Sequence, residues 1–188
     1  MSATYADLAR PSSRTLGLLY DLGLIAGGSL LVAFAAQAAV PLPFTPVPWT
    51  LQPLAVLLVG SLLGARRGAA ALVAYLVEGA SGLPVFAGGA FGVGPLMGPT
   101  AGYLVGFVPA AFVTGYLAER GWDRRFVTTW AAMALGSATL FAFGVTWLSR
   151  FVGWQGALTA GLLPFVLGDV VKQVLAALLL PGLWRSRK

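Results

Sequence analysis

The chain contains neither cysteine nor histidine. The first absence excludes disulfides, thiolate nucleophiles and thiolate metal sites. The second removes imidazole as a general base and, with it, any Ser–His–Asp triad. Most hydrolase mechanisms are excluded on these grounds. Charge is the other scarcity: Asp, Glu, Lys and Arg make up 10% of the 188 residues, where a soluble domain carries roughly 25%. Hydrophobic residues make up 58% and the mean hydropathy is +0.84. A chain this poor in charge cannot cover itself for water, so the composition predicts an all-α integral membrane protein.

The net charge of +6 would suit nucleic acid, but the arginines fall between apolar segments, which points to membrane topology and to no nucleic-acid partner. Residues 1–15 are polar and show no small-residue cleavage site. They read as a cytoplasmic N-terminal tail leading into a retained helix. A spanning helix needs about 20 largely apolar residues, and residues 16–39 supply the first. Five prolines in residues 41–53 then forbid helix, because each lacks an amide donor and clashes with the preceding turn. A rigid extended loop at the membrane edge follows. Residues 54–64 and 68–79 predict two short or partly re-entrant helices joined by an Arg66–Arg67 turn. Residues 79–103 are rich in Gly and Pro yet almost uncharged. Irregular backbone at membrane depth is tolerated only where it is buried in protein or lines a cavity, so this segment is a candidate binding loop. Helices are expected at 101–118, 126–148 and 157–183, with a charged turn at 119–125 and a short loop at 149–156.

This gives six transmembrane helices with irregular Pro-rich and Gly-rich outer loops: a tail at 1–15, one membrane domain at 16–183 and a basic cytoplasmic C-terminal tail at 184–188. Ten of the twelve basic residues then fall on one side: Arg10, Arg14, Arg66, Arg67, Arg120, Arg124, Arg125, Arg185, Arg187 and Lys188. By the positive-inside rule that side is cytoplasmic. Both termini are therefore expected inside a multi-pass cell-membrane protein, with Arg150 and the two special loops outside.

Asp169 and Lys172 lie within the last helix. Ionisable groups inside a membrane are costly, about 2.5–3.5 kcal/mol each at the bilayer centre on insertion scales, and they mark function by default. Spaced three apart, they share a helix face and can pair. Together they offer acceptors and donors to a small polar ligand. Gln52, beside Trp49 and Thr50, closes the Pro-rich loop and either meets the same ligand or bonds free amides at a helix start. Trp49 either anchors at the lipid interface or stacks on a ligand. Gly88, Gly89, Gly98, Gly102 and Tyr103 belong to the Gly-rich segment, whose glycines either admit close approach of a ligand or serve tight packing. Glu78 reads either as a second polar wall of the site or as an interfacial acid, and Asp21 as a structural one. Gly23 and Gly27, like Ala35 and Ala39, give small-residue spacings on the first helix that suit packing against a partner subunit.

The segments TPVPWTLQ (45–52), GLPVFAGG (82–89), GPTAGYLVGF (98–107) and DVVKQ (169–173) together resemble the BioY family of biotin-binding S components of energy-coupling factor transporters. Ala101 stands where that family usually reads glycine. The resemblance implies a six-helix S-component fold, an outer substrate pocket, and biotin as ligand with no cofactor. Asp169 and Lys172 match the family's D-x-x-K pair and are expected at the polar groups of biotin, with Phe86, Tyr103 and Trp49 against its apolar body. The implied partners are a transmembrane scaffold subunit and an ATPase pair. The chain has no GxxxxGK[ST] loop, so ATP hydrolysis by that route belongs to other chains. Two other classes remain open from the residues alone: a self-contained secondary transporter or channel, and an intramembrane enzyme. The latter would have to work with Asp169, Glu78, Lys172 and hydroxyls.

Overall fold

The computed structural model describes residues 4–185. Seven α-helices follow in order: α1 Arg14–Gln37, α2 Gln52–Leu63, α3 Ala65–Ala80, the one-turn α4 Gly94–Met97, α5 Ala101–Ala118, α6 Phe126–Gly161 and α7 Leu163–Arg185. Four of them, α1, α5, α6 and α7, are long and apolar enough to cross a membrane. At 12 and 16 residues, α2 and α3 extend only about 18 and 24 Å, short of the roughly 30 Å hydrocarbon core. The expected count of six becomes six principal helices plus the short α4.

Three boundaries differ from expectation, each for a local reason. The bend between α2 and α3 is at Gly64, whose φ of 87° is open to glycine and strained for other residues. Arg66 and Arg67 therefore sit in the first turn of α3. The anticipated loop at 149–156 is helical, because Ser149, Arg150 and Gln155 all tolerate helix. The helix is interrupted only at Gly153, with φ 72°. Consequently α7 begins at Leu163, where Pro164 suits a helix start, and not at Ala157. The Pro-rich segment is extended as expected, but it also closes on itself through a two-residue antiparallel ladder, Ala39 with Thr50 and Val40 with Trp49.

The most buried of the four long helices is α5, and it packs on α2, α3 and α6. Glycine makes these crossings possible. A Cβ on Gly60 would lie 2.4 Å from the Ala111 carbonyl oxygen, and one on Gly115 would lie 2.4 Å from the Gly64 backbone. Without a hydrophobic drive between helices in lipid, such close backbone approach supplies the packing. By contrast α1 is largely exposed, and it is fixed to α3 where Gly28 meets Ala71 and where the Ser29 hydroxyl donates to Glu78. Glu78 is thus a helix tether.

One end of the bundle gathers the charges. Arg67 bridges Asp7 at 2.8 Å and Asp21 at 2.9 Å, and Arg10 also pairs with Asp21 at 2.8 Å. Asp21 is therefore structural. Burial raises the Asp7 carboxyl, but bonds from Thr4 and Arg67 outweigh it and hold the group below its ordinary value. Glu119 accepts from the Ala65 amide at 2.9 Å, capping α3. Trp184 donates to Asp123 at 2.7 Å and ties the end of α7 to the α5–α6 turn. Arg187 and Lys188, and the side chain of Arg185, lie outside the described residues.

Asp123 is 3% exposed and its second oxygen has no partner among the described residues. Burial pushes its carboxyl above the ordinary value, partly offset by the Trp184 bond. An acid with a raised folded-state pKa costs stability once pH rises past its unfolded value, and the full cost is present above the folded value. Asp123→Asn is therefore expected to raise the melting temperature in detergent at neutral pH. The gain should vanish near pH 3, below the ordinary aspartate value of about 3.9. An equal shift at both pH values would contradict this.

Candidate functional site

At the end of the bundle opposite the charge cluster lies a cavity of about 390 Å³, at the small end of the roughly 300–1,000 Å³ typical of small-molecule pockets. The Pro-rich and Gly-rich segments form its mouth, and α5, α6 and α7 form its body. The interior is apolar, with Leu104, Phe107, Leu140, Phe141 and Phe165 facing inward. Polar groups enter from a few places only, chiefly Asp169 and Lys172 on α7 and Thr50, Gln52 and Thr100 beside the mouth.

Asp169 is buried. One carboxylate oxygen accepts from the Ser137 hydroxyl of α6 and from the Gln173 amide at 2.9 Å. The other oxygen has no hydrogen-bond partner among the described residues, and Asp169 lines the cavity. Lys172 was expected to pair with Asp169, but no direct salt bridge joins them among the described residues. The ammonium instead donates to the Thr50 carbonyl at 2.6 Å and lies 4.8 Å from the centroid of the Trp49 ring. A lysine has three N–H donors, so it can fasten the loop and still face the cavity. Gly168 makes room for this arrangement: a Cβ there would come within 2.8 Å of the Trp49 ring.

Gln52 lines the cavity and its amide donates to the Tyr75 hydroxyl at 2.7 Å. Tyr75 donates in turn to the Val85 carbonyl at 3.1 Å and packs edge-on against Phe86. This chain links the two loops. Phe86 is buried against Gly79, where a Cβ would overlap its ring. The Tyr103 hydroxyl donates to the Gly161 carbonyl at 2.7 Å, which leaves its ring to the cavity wall. Seven of the nine residues singled out from sequence, Trp49, Thr50, Gln52, Phe86, Tyr103, Asp169 and Lys172, therefore surround one space. Gly88 and Gly89 lie outside its lining. With φ of 66° and 77° they form the turn that closes Phe86 onto Ala90, and Ala87 and Ala90 line the cavity in their place.

Residues 8–188 match the BioY family. A biotin transporter BioY of Rhizobium etli is 44% identical over 160 residues, covering 80% of this chain and 85% of that protein. One from Rhodobacter capsulatus is 41% identical, covering 84% and 87%. One from Thermotoga maritima is 40% identical, covering 83% and 92%. This chain belongs to the BioY family.

The fold is also that of a solved S-component for biotin from an ECF-type ABC transporter, with a TM-score of 0.82 over 93% of this chain and 95% of that one. At 24% identity the likeness carries the fold. In this BioY-family chain, sequence reasoning missed the residues that orient the acid. Gln173 stands four after Asp169, a helical spacing that brings side chains together, so it was available to a reader. Ser137 lies 32 residues away on another helix, and no spacing rule reaches it. Tyr75, hidden in an apolar segment, likewise gave no sign that it joins the two loops.

Proposed function

We propose that this chain captures biotin from the outer face of the cell membrane, as the substrate-binding subunit of an energy-coupling factor transporter. The observation that carries the reading is the unpartnered oxygen of Asp169 at the end of an apolar cavity. The naming of the relatives as biotin transporters supports it. A ureido ring presents two N–H donors and one carbonyl. Asp169 accepts from a ureido N–H, and Lys172 donates a remaining proton to a ligand oxygen. The thiophane and valeryl chain lie along Phe86, Tyr103 and Trp49, where apolar burial is worth about 25 cal/mol per Å². Transport against a gradient then requires a membrane scaffold and an ATPase pair, since the chain has no phosphate-binding loop of its own.

Calorimetric titration of the purified chain with biotin tests the reading. Submicromolar affinity is expected. Lys172→Met is expected to weaken it by about 10–100-fold, the loss of a charged hydrogen bond together with the loop tie. Absence of binding in the wild type would reject the ligand. Unchanged affinity in the variant would reject the role of Lys172.

The charge cluster end faces the cytoplasm in this reading, with the two termini on that side. Because the chain has no cysteine, single replacements report topology cleanly. In intact cells a membrane-impermeant maleimide is expected to label Ser81→Cys and to leave Ser13→Cys unlabelled. The reverse pattern would invert the orientation.

A further inference from the structure

A second cavity, of about 420 Å³, opens sideways between α5 and α6. Gly102, Val105, Ala142 and Phe143 line it, with Trp147 and Arg150 at its rim. Gly102 brings α5 directly onto α6 at one side of it: a Cβ there would lie 2.3 Å from the Trp147 Cβ and 2.6 Å from the Phe143 carbonyl oxygen. The backbones touch at that point and the groove opens beside the contact.

Arg150 sits at a defined depth. It is 24 residues beyond Phe126 on one helix, about 36 Å at 1.5 Å per residue, against a hydrocarbon core of roughly 30 Å. With Phe126 at the edge of the core beside the charged end, a helix of that length brings the Arg150 guanidinium to the opposite headgroup layer. Exposed Phe151 and Trp154 just beyond it fit the aromatic belt of a membrane interface. Arg150 makes no ion pair among the described residues. Among the described residues its guanidinium lies 4.8 Å from the Trp147 ring, an interaction that leaves the N–H donors open. An unpaired arginine at headgroup level, above an apolar groove that opens to lipid, is complementary to an anionic amphiphile.

We propose that this groove holds one acyl chain of an anionic phospholipid of the outer layer, with its phosphate on Arg150. The groove runs from Arg150 to Ala142, about 12 Å down the helix, so it takes the upper part of the chain. The same lipid braces Trp147, whose indole donates to the Gly98 carbonyl at 3.0 Å. Gly98 in turn lines the larger cavity.

The test uses the full chain in nanodiscs of equal phosphatidylglycerol and phosphatidylcholine, released into native mass spectrometry. The wild type is expected to retain phosphatidylglycerol in preference. Arg150→Gln is expected to lower that retention by about fivefold, the worth of one arginine facing an anionic surface. Ala142→Trp, at an exposed position of the groove, is expected to abolish it with Arg150 intact. Biotin titration in detergent checks that both variants are folded. Three outcomes would overturn the proposal: equal retention in all three proteins; loss in Arg150→Gln alone, which would mean headgroup attraction without a seated chain; or a lipid-free wild-type dimer that Ala142→Trp dissociates, which would make a second copy the occupant.

Discussion

Replacing Asp169 by alanine is expected to lower biotin affinity by about 30-fold or more. Truncating one partner of a buried, charge-assisted contact costs about 2–5 kcal/mol, because the group left behind is desolvated and unpaired. The structure sharpens which atom matters. One oxygen of Asp169 is held by Ser137 and Gln173 and serves to orient the carboxylate, while the other is left for ligand. Asp169→Asn keeps the shape and an acceptor but exchanges the second acceptor for a donor that faces the ureido N–H. It should therefore lose nearly as much affinity as alanine while melting closer to wild type. Calorimetry read beside thermal melting separates the two effects. If asparagine binds biotin as well as aspartate does, the charge on this residue is not what recognises the ligand.

The second large effect concerns the bundle and not the ligand. Gly60→Val is expected to destabilise the fold by several kcal/mol, beyond the 1–3 kcal/mol of an ordinary overpacked core. The new side chain would meet the backbone of Ala111, with the Cβ 2.4 Å from its carbonyl oxygen and 3.0 Å from its Cα. Gly68 of α3 approaches Gly60 from another side, where its own Cβ would lie 2.9 Å from the Gly60 Cα. Backbone cannot turn aside as a flexible side chain can, so α2 must move off α5. Gly23→Val is the matched control: nothing lies within 4 Å of a Cβ there, and its melting temperature should stay close to wild type. Equal melting of the two variants in detergent would show that the α2–α5 crossing does not depend on close backbone contact.

The two predictions rest on different parts of what the sequence could reveal. Asp169 and Lys172 stood out because ionisable groups are rare in an apolar run, and their depth placed them with the Pro-rich and Gly-rich segments. Composition alone carried that much. The partners of those two residues were not legible. Lys172 bonds the Thr50 carbonyl, and a backbone acceptor leaves no mark in a residue pattern. The expected Asp169–Lys172 pair failed for this reason, since helical spacing showed who could meet and not which competitor was nearer. The helix boundaries were read from apolar runs broken at residues that looked polar. The boundary of the fifth helix differs at 149–156, where Arg150 and Gln155 are compatible with helix and only Gly153 interrupts it. At the other bend the reading settled on Arg66–Arg67, when the positive φ of Gly64 makes the turn. The crossing glycines, Gly60 and Gly115 among them, could not be told from the other glycines of a 25-glycine chain before the helices were placed side by side.

A crystal structure of this chain with biotin bears most directly on the central claim. The account predicts the bicyclic ring inside the cavity bounded by Trp49, Phe86 and Tyr103. A ureido nitrogen should lie within hydrogen-bond distance of the free Asp169 oxygen, and the Lys172 ammonium within reach of a ligand oxygen. Biotin seated elsewhere, or seated there with its ureido ring turned away from Asp169, would contradict it.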